Sequence, residues 1–202
     1  MRRLRPRVCR TPRMRPSPAP SQGLKLAIDA LGILGRTRGS AGLRGVRLCF
    51  AGGYDPAVRE NVEHLEELRA AACAAGVSHL VSFVPNFSAM QRRALLSRCV
   101  AVLYTPEHEH FGIVPLEAMA AARPVVACNS GGPVETVVHG RTGLLCEPTA
   151  EAFASALGKL LDDPVSARAM GAAARAHVSR NFSRRAFGKQ LEGHIRTAVD
   201  AL

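Results

Sequence analysis

The stretch CVAVLYTPEHEHFGIVPLEAMAAA, Cys99–Ala122, decides the fold. It opens with an apolar run at residues 99–104, which is typical of a buried strand, and closes with strong helix formers from Ala118 onward. Between the two lie a pair of carboxylates, Glu109 and Glu117, eight positions apart around a single glycine. This order predicts a strand, an acidic loop and a helix.

The same alternation of apolar strands and amphipathic helices continues over residues 23–202. Because apolar strands that alternate with helices form parallel sheets covered on both faces, we predict an α/β fold with a Rossmann-like parallel sheet. A flexible turn is expected over 35–45. The predicted strands are 46–51, 79–84, 99–104, 124–128 and 143–146; the predicted helices cover 24–34, 56–75, a segment from the N-cap Ser88, and 150–162, 164–179 and 184–201.

Residues 1–22 differ in composition from the rest of the chain. The net charge is +11, and these residues supply seven arginines and no acid, whereas the remainder holds 20 basic and 16 acidic side chains. Prolines at 6, 12, 16, 18 and 20 prevent a regular helix. We predict a disordered Arg/Pro-rich tail over 1–22, and attachment to nucleic acid or to an anionic membrane and a role as a transit peptide stay open as alternatives.

The acidic loop has the chemistry of a pocket for a sugar nucleotide. Ligands of open parallel sheets bind outside the carboxyl ends of the strands, where the next helix begins. A helix N-terminus favours a phosphate, because its N–H groups are unpaired and its dipole is positive there. Carboxylates such as Glu109 and Glu117 can accept hydrogen bonds from sugar hydroxyls.

Three segments carry a resemblance to a known family. The Glu109-x7-Glu117 spacing, in its strand–loop–helix setting, resembles the retaining glycosyltransferases of the GT-B fold. The segments AGGYDPAVRENVEHLEELR at 51–69, LYTPEHEHFGIVPLEAM at 103–119 and NSGGPVETVVHGRTGLLCEP at 129–148 resemble the eukaryotic α-1,3/1,6-mannosyltransferases of dolichol-linked oligosaccharide synthesis. The resemblance covers about residues 23–202.

This resemblance implies that the chain is the C-terminal, donor-binding half of a mannosyltransferase. Such enzymes transfer mannose from GDP-mannose, with retention, to a dolichol-diphosphate-linked oligosaccharide at the cytosolic face of the endoplasmic reticulum. The chain is expected to depart from the family pattern in three respects. It is expected to lack the acceptor domain and the first strand of the donor domain. It is also expected to lack the Arg and the Lys that follow that strand in the family. The chain is therefore expected to be truncated and inactive alone.

The resemblance also implies roles for individual residues. Glu109 is the predicted catalytic residue, as a positioning and electrostatic group against the donor sugar, and Glu117 is predicted to bind the ribose hydroxyls. The expected substrate-binding backbone N–H groups are those of Phe111, Gly112, Ile113 and Val114. A closing loop is expected at Gly131 and Gly132, a border of the phosphate pocket at Gly53, and a contact to the base at Asn86.

The predicted partners are the nucleotide-sugar donor, a lipid-linked oligosaccharide acceptor and a membrane surface, with no nucleic acid expected. No cofactor is expected. A metal site is not expected either, because Glu107, His108, Glu109 and His110 offer alternating ligands without a third at a fixed spacing. The rival interpretations are a non-catalytic nucleotide-sugar-binding module and a basic-tailed nucleic-acid-binding protein.

Self-association is predicted from the last helix. Four apolar residues recur there at four-residue intervals and form one helical stripe: Phe187, Leu191, Ile195 and Val199.

Overall fold

The computed structural model of the protein describes residues 7–10, 20–107 and 109–200. A six-stranded sheet lies at its centre, in the order β3-β2-β1-β4-β5-β6, and every neighbouring pair is parallel. The predicted α/β class with a parallel sheet is thereby confirmed. The strands are β1 (Arg7–Arg10), β2 (Leu48–Gly52), β3 (Val81–Pro85), β4 (Cys99–Tyr104), β5 (Val125–Cys128) and β6 (Gly143–Cys146).

Helices cover both faces of the sheet, as hydrophobic strands of a parallel sheet require. One apolar cluster joins α1, α2 and α6 to one face, and a second joins α3, α4 and α7 to the other. The helices are α1 (Pro20–Gly42), α2 (Arg59–Ala74), α3 (Ala89–Arg98), α4 (Ile113–Ala120), α5 (Gly132–Thr136), α6 (Ala150–Asp162), α7 (Pro164–Asn181) and α8 (Arg184–Asp200).

The first strand differs from the prediction. Arg7–Arg10 lies inside the sheet, parallel to β2 on one side and to β4 on the other, so the sheet does not lack its first strand and this part of the tail is ordered. The prolines that predict disorder flank these residues and do not fall within them, so all four backbone N–H groups remain. A gap between β2 and β4 would leave two strands with unpaired backbone groups, which β1 satisfies. Residues 1–6 and 11–19 lie outside the described ranges.

Helix α1 is longer than predicted. The flexible turn expected from Gly35 is wrong, since helical structure continues to Gly39, where φ is 64° and two helical segments meet. Arg38 donates through both Nη atoms to the Asp162 carboxylate of α6, at 2.8 and 2.6 Å. Leu34 of α1 and Phe153 and Leu157 of α6 share one buried apolar cluster. This packing offsets the cost of about 1 kcal/mol that a helical glycine such as Gly35 carries.

Helix α3 begins as predicted. Ser88 accepts a hydrogen bond from the backbone N–H of Gln91 at 3.2 Å, and the Gln91 side chain accepts one from the backbone N–H of Ser88 at 2.8 Å. This reciprocal capping box satisfies two donors that would otherwise be unpaired at the helix start. It fixes the first turn of α3 directly after β3, at the carboxyl edge of the sheet.

The apolar stripe of α8 is exposed along its whole length. No residue of α8 is buried, and Phe187, Leu191, Ile195 and Val199 are among the large exposed hydrophobic side chains. Within the described ranges, no helix combines the length and the apolar character needed to cross a membrane.

We expect this stripe to make the purified chain self-associate at micromolar concentration, because exposed apolar stripes favour association. Multi-angle light scattering measures the mass. The double variant Leu191→Lys with Ile195→Lys should return a monomer. Gln190→Lys with Thr197→Lys adds the same charge away from the stripe and should still associate. A wild-type monomer across this range would contradict the prediction.

Candidate functional site

The acidic loop starts at the carboxyl end of β4 and is held against buried side chains. Thr105, the first residue after the strand, is fully buried and donates its hydroxyl to the carbonyl of Gly23 in α1. At the far end of the loop, Gly112 has a φ of 74°, and a Cβ there would lie 2.7 Å from the Tyr104 hydroxyl oxygen. Only glycine meets both conditions, so Gly112 sets the angle at which the loop enters α4.

The Gly-Gly loop after β5 packs directly against the acidic loop. The backbone N–H of Gly132 donates to the carbonyl of Glu109 at 2.8 Å. A Cβ on Gly131 would overlap the Glu109 carbonyl, and a Cβ on Gly132 would overlap the backbone of Phe111. The two glycines therefore allow a backbone contact that no side chain would permit, and through it they fix the position of Glu109.

Helix α4 presents its N-terminus at this same edge. Gly112 is the N-cap of α4 and makes no side-chain hydrogen bond, and the first two residues of the helix are Ile113 and Val114. Their backbone N–H groups come before the first intrahelical bonds, and Pro115 has no N–H to add. The start of α4 therefore offers backbone donors and the positive end of a helix dipole.

The two carboxylates of the motif lie in different surroundings. Glu109 is half-buried in the loop, and its Oε1 accepts a hydrogen bond from the backbone N–H of His110 at 3.2 Å. Glu117 lies five residues after the α4 cap, about 7.5 Å along the helix axis at 1.5 Å per residue. The arrangement places one acid beside the Gly-Gly loop and the other beyond the helix N-terminus.

Glu117 has a partner that the sequence reasoning missed. Nη1 of Arg92, in α3, lies 2.5 Å from Glu117 Oε1, and the side chains are 41% and 33% exposed. The capping box at Ser88 was the signal that could have led to Arg92, because it fixes the first turn of α3 at the carboxyl edge. That position alone does not show that α3 packs beside α4.

Asn86 braces two loops. Its side-chain oxygen accepts from the backbone N–H of Tyr54 at 2.8 Å, and its side-chain nitrogen donates to the Tyr54 carbonyl at 2.7 Å. The amide thus ties the end of β3 to the loop after β2, so its direct bonds are to protein and its predicted contact to a base stays untested. Gly53 in the same loop is exposed, with open space around the position of a Cβ.

A separate cavity of about 100 Å³ lies behind this brace, between α1, α2 and the ends of β2 and β3. Its lining is mainly apolar, with Phe50 stacked on Phe83 and the Arg69 guanidinium carbon 6.0 Å from the centre of the Phe83 ring. Neither motif carboxylate lines it. The residues that line the cavity therefore offer no carboxylate to accept hydrogen bonds from sugar hydroxyls.

The expectation that the chain has no metal site stays a prediction. In the part of the chain that the structure describes, which omits His108, no three His, Cys, Asp or Glu side chains come together as metal ligands would.

Comparison with known proteins places this geometry in a family. Residues 18–177 match the family model described as "Glycosyl transferases group 1". The chain is 44% identical over 172 residues to an α-1,3/1,6-mannosyltransferase ALG2 of Dictyostelium discoideum, covering 83% of the chain and 41% of that protein. It is 45% identical over 174 residues to the Homo sapiens protein of the same name, covering 86% and 42%. The chain thus spans about two fifths of the length of these relatives.

A solved structure supports the fold. Anabaena Alr3699/HepE, in complex with UDP and glucose, superposes with a TM-score of 0.78 at 23% identity, covering 96% of this chain and 49% of that one. At this identity the likeness concerns the fold, which is that of GT-B glycosyltransferases. The predicted resemblance and fold class are confirmed.

Proposed function

This chain belongs to the group 1 glycosyl transferases, and from that premise we propose that it forms the donor-binding half of a mannosyltransferase. The proposed reaction is retaining transfer of mannose from GDP-mannose to a dolichol-diphosphate-linked oligosaccharide. The proposed location is the cytosolic face of the endoplasmic reticulum membrane. Support for the activity comes from relatives that are named α-1,3/1,6-mannosyltransferases and are 44% and 45% identical.

One observation carries the proposal: the Gly-Gly loop holds the acidic loop at the start of α4. The bond from the Gly132 N–H to the Glu109 carbonyl brings a carboxylate to the edge where Ile113 and Val114 present backbone donors. A diphosphate needs such donors, and a sugar needs a hydroxyl acceptor beside them. The solved relative whose structure contains UDP and glucose shares this fold.

Each group then has one task in the proposed reaction. The N–H groups of Ile113 and Val114, with the α4 dipole, stabilise the negative charge that grows on the departing diphosphate. Glu109 orients the mannose by accepting from its hydroxyls and acts electrostatically on the anomeric centre. Glu117 holds the ribose. No metal takes part in this proposal, and GDP-mannose is a substrate.

We expect calorimetry at millimolar nucleotide to detect GDP and GDP-mannose binding, and Glu117→Gln to weaken both by about tenfold or more. A charge-assisted hydrogen bond contributes about 1.5–3 kcal/mol, which corresponds to that loss. Glu135→Gln, an exposed acid in α5, is the matched control and should leave the affinity unchanged. Equal affinity of Glu117→Gln and wild type, or no binding by wild type, would refute the proposed site.

A further inference from the structure

The contact between Arg92 and Glu117 differs from most ion pairs in the described residues. Most of the others join residues three or four apart in one helix, such as Arg59 with Glu63. Arg38–Asp162 joins two helices, α1 and α6. Arg92–Glu117 also joins two helices, but it lies at the edge of the sheet where the acidic loop and the α4 N-terminus lie.

Stability does not explain this pair well. Both side chains are more than 30% exposed. Exposed pairs contribute only about 0–1 kcal/mol, because solvent screens the charges and two long side chains lose freedom. Helix α3 is already fixed by its capping box and by Leu95 and Leu96, which are buried against the sheet. The pair therefore has little to add to the packing of α3.

The geometry suits an orienting role instead. Arg92 contacts Oε1 of Glu117, whereas no hydrogen bond within the described ranges involves Oε2. A guanidinium that contacts one oxygen of a carboxylate restricts its rotation, and the second oxygen keeps its lone pairs for other donors. Two neighbouring hydroxyls of a ribose are donors of the required kind.

We propose that Arg92 is a positioning residue: it holds Glu117 so that the carboxylate accepts from the ribose hydroxyls of the donor nucleotide and selects ribose over deoxyribose. This inference rests on the proposed function. Arg92 acts through Glu117 and not through contact with the reacting atoms. Its loss should therefore lower the preference for ribose, while a general loss of positive charge would weaken the binding of every nucleotide alike.

The test compares GDP with 3′-deoxy-GDP by calorimetry. Wild type should prefer GDP by about tenfold or more, the effect of one hydrogen bond to a charged group. Arg92→Ala should lower this preference by up to about fivefold, since an exposed pair contributes up to about 1 kcal/mol. Arg92→Lys should restore part of the preference because it keeps the cation. Arg93→Ala, its exposed neighbour in α3, is the matched control and should keep the full preference.

The outcomes separate this inference from the function on which it rests. An Arg92→Ala protein that weakens GDP and 3′-deoxy-GDP equally, or that keeps the wild-type preference, overturns the positioning role while the donor site stands. A wild-type chain that binds neither nucleotide overturns the proposed function and this inference with it. Thermal unfolding of all four proteins shows that the variants are folded, and we expect similar midpoints.

Discussion

Gly132→Ala is expected to destroy nucleotide binding and to destabilise the domain by about 1.5–4.5 kcal/mol. The new Cβ would overlap the backbone of Phe111, so the Gly-Gly loop must move away and break its hydrogen bond to the Glu109 carbonyl. Overpacking costs about 1–3 kcal/mol and a lost hydrogen bond about 0.5–1.5 kcal/mol, which together give this range. Urea unfolding and a GDP titration measure the two effects.

Gly188→Ala is the matched control for that substitution. Gly188 lies in α8 with open space around its Cβ position, so alanine should stabilise the helix by about 0.5–1 kcal/mol and leave GDP binding unchanged. A Gly132→Ala protein that keeps wild-type affinity for GDP would show that the two loops need not touch for the site to form.

Phe153→Ala is expected to have the largest effect on stability, about 3–5 kcal/mol. Phe153 of α6 is fully buried in the cluster that joins α1, α2 and α6 to the sheet. Truncation leaves a cavity that the neighbouring side chains fill only in part. Since small domains have about 5–15 kcal/mol of stability in total, the variant should be close to unfolding at moderate temperature.

Phe187→Ala makes the same chemical change on the exposed stripe of α8 and serves as the control. In the monomer it should change the free energy of unfolding by no more than about 0.5 kcal/mol. Both variants are compared by urea unfolding at low protein concentration. A cost below about 1.5 kcal/mol for Phe153→Ala would mean that α6 is not part of the core as the structure places it.

Most strands and helices could be predicted from local sequence patterns, because the residues that determine these elements are neighbours in the chain. The apolar run at Cys99–Tyr104 is a strand with those bounds, and helix α6 begins and ends at Ala150 and Asp162 as predicted. The start of α3 at Ser88 was predicted from the same kind of signal. In each case the residues that fix the element lie within or beside it.

Features that depend on distant partners were missed. Arg7–Arg10 is a strand because its backbone groups pair with those of both β2 and β4. The amino-acid composition of the segment does not indicate this pairing. The extension of α1 past Gly35 brings Arg38 to Asp162, 124 positions away, and the local sequence does not show that contact. The pairing of Arg92 with Glu117 likewise depends on how α3 and α4 pack side by side.

For the candidate site too, the positions of the loops could be predicted from the sequence, whereas the contacts between them could not. The acidic loop and the Gly-Gly loop each follow a strand, so both were expected at the carboxyl edge of the sheet. Their backbone contact through Gly132 and Glu109 appears only in the fold, because β4 and β5 pair. The amide of Asn86 braces the loop at Tyr54, a contact that its position in the sequence does not show, and its predicted contact to a base stays a prediction.

The most direct test of the account follows backbone amide signals of the ¹⁵N-labelled chain during a GDP-mannose titration. The account predicts progressive, saturable shifts for Ile113 and Val114 at the α4 N-terminus and for Gly131 and Gly132 in the loop beside it. Glu117→Gln should move these shifts to higher nucleotide concentration. Shifts confined to the apolar cavity around Phe50, Phe83 and Arg69, or none at saturating nucleotide, would contradict a donor site at the acidic loop.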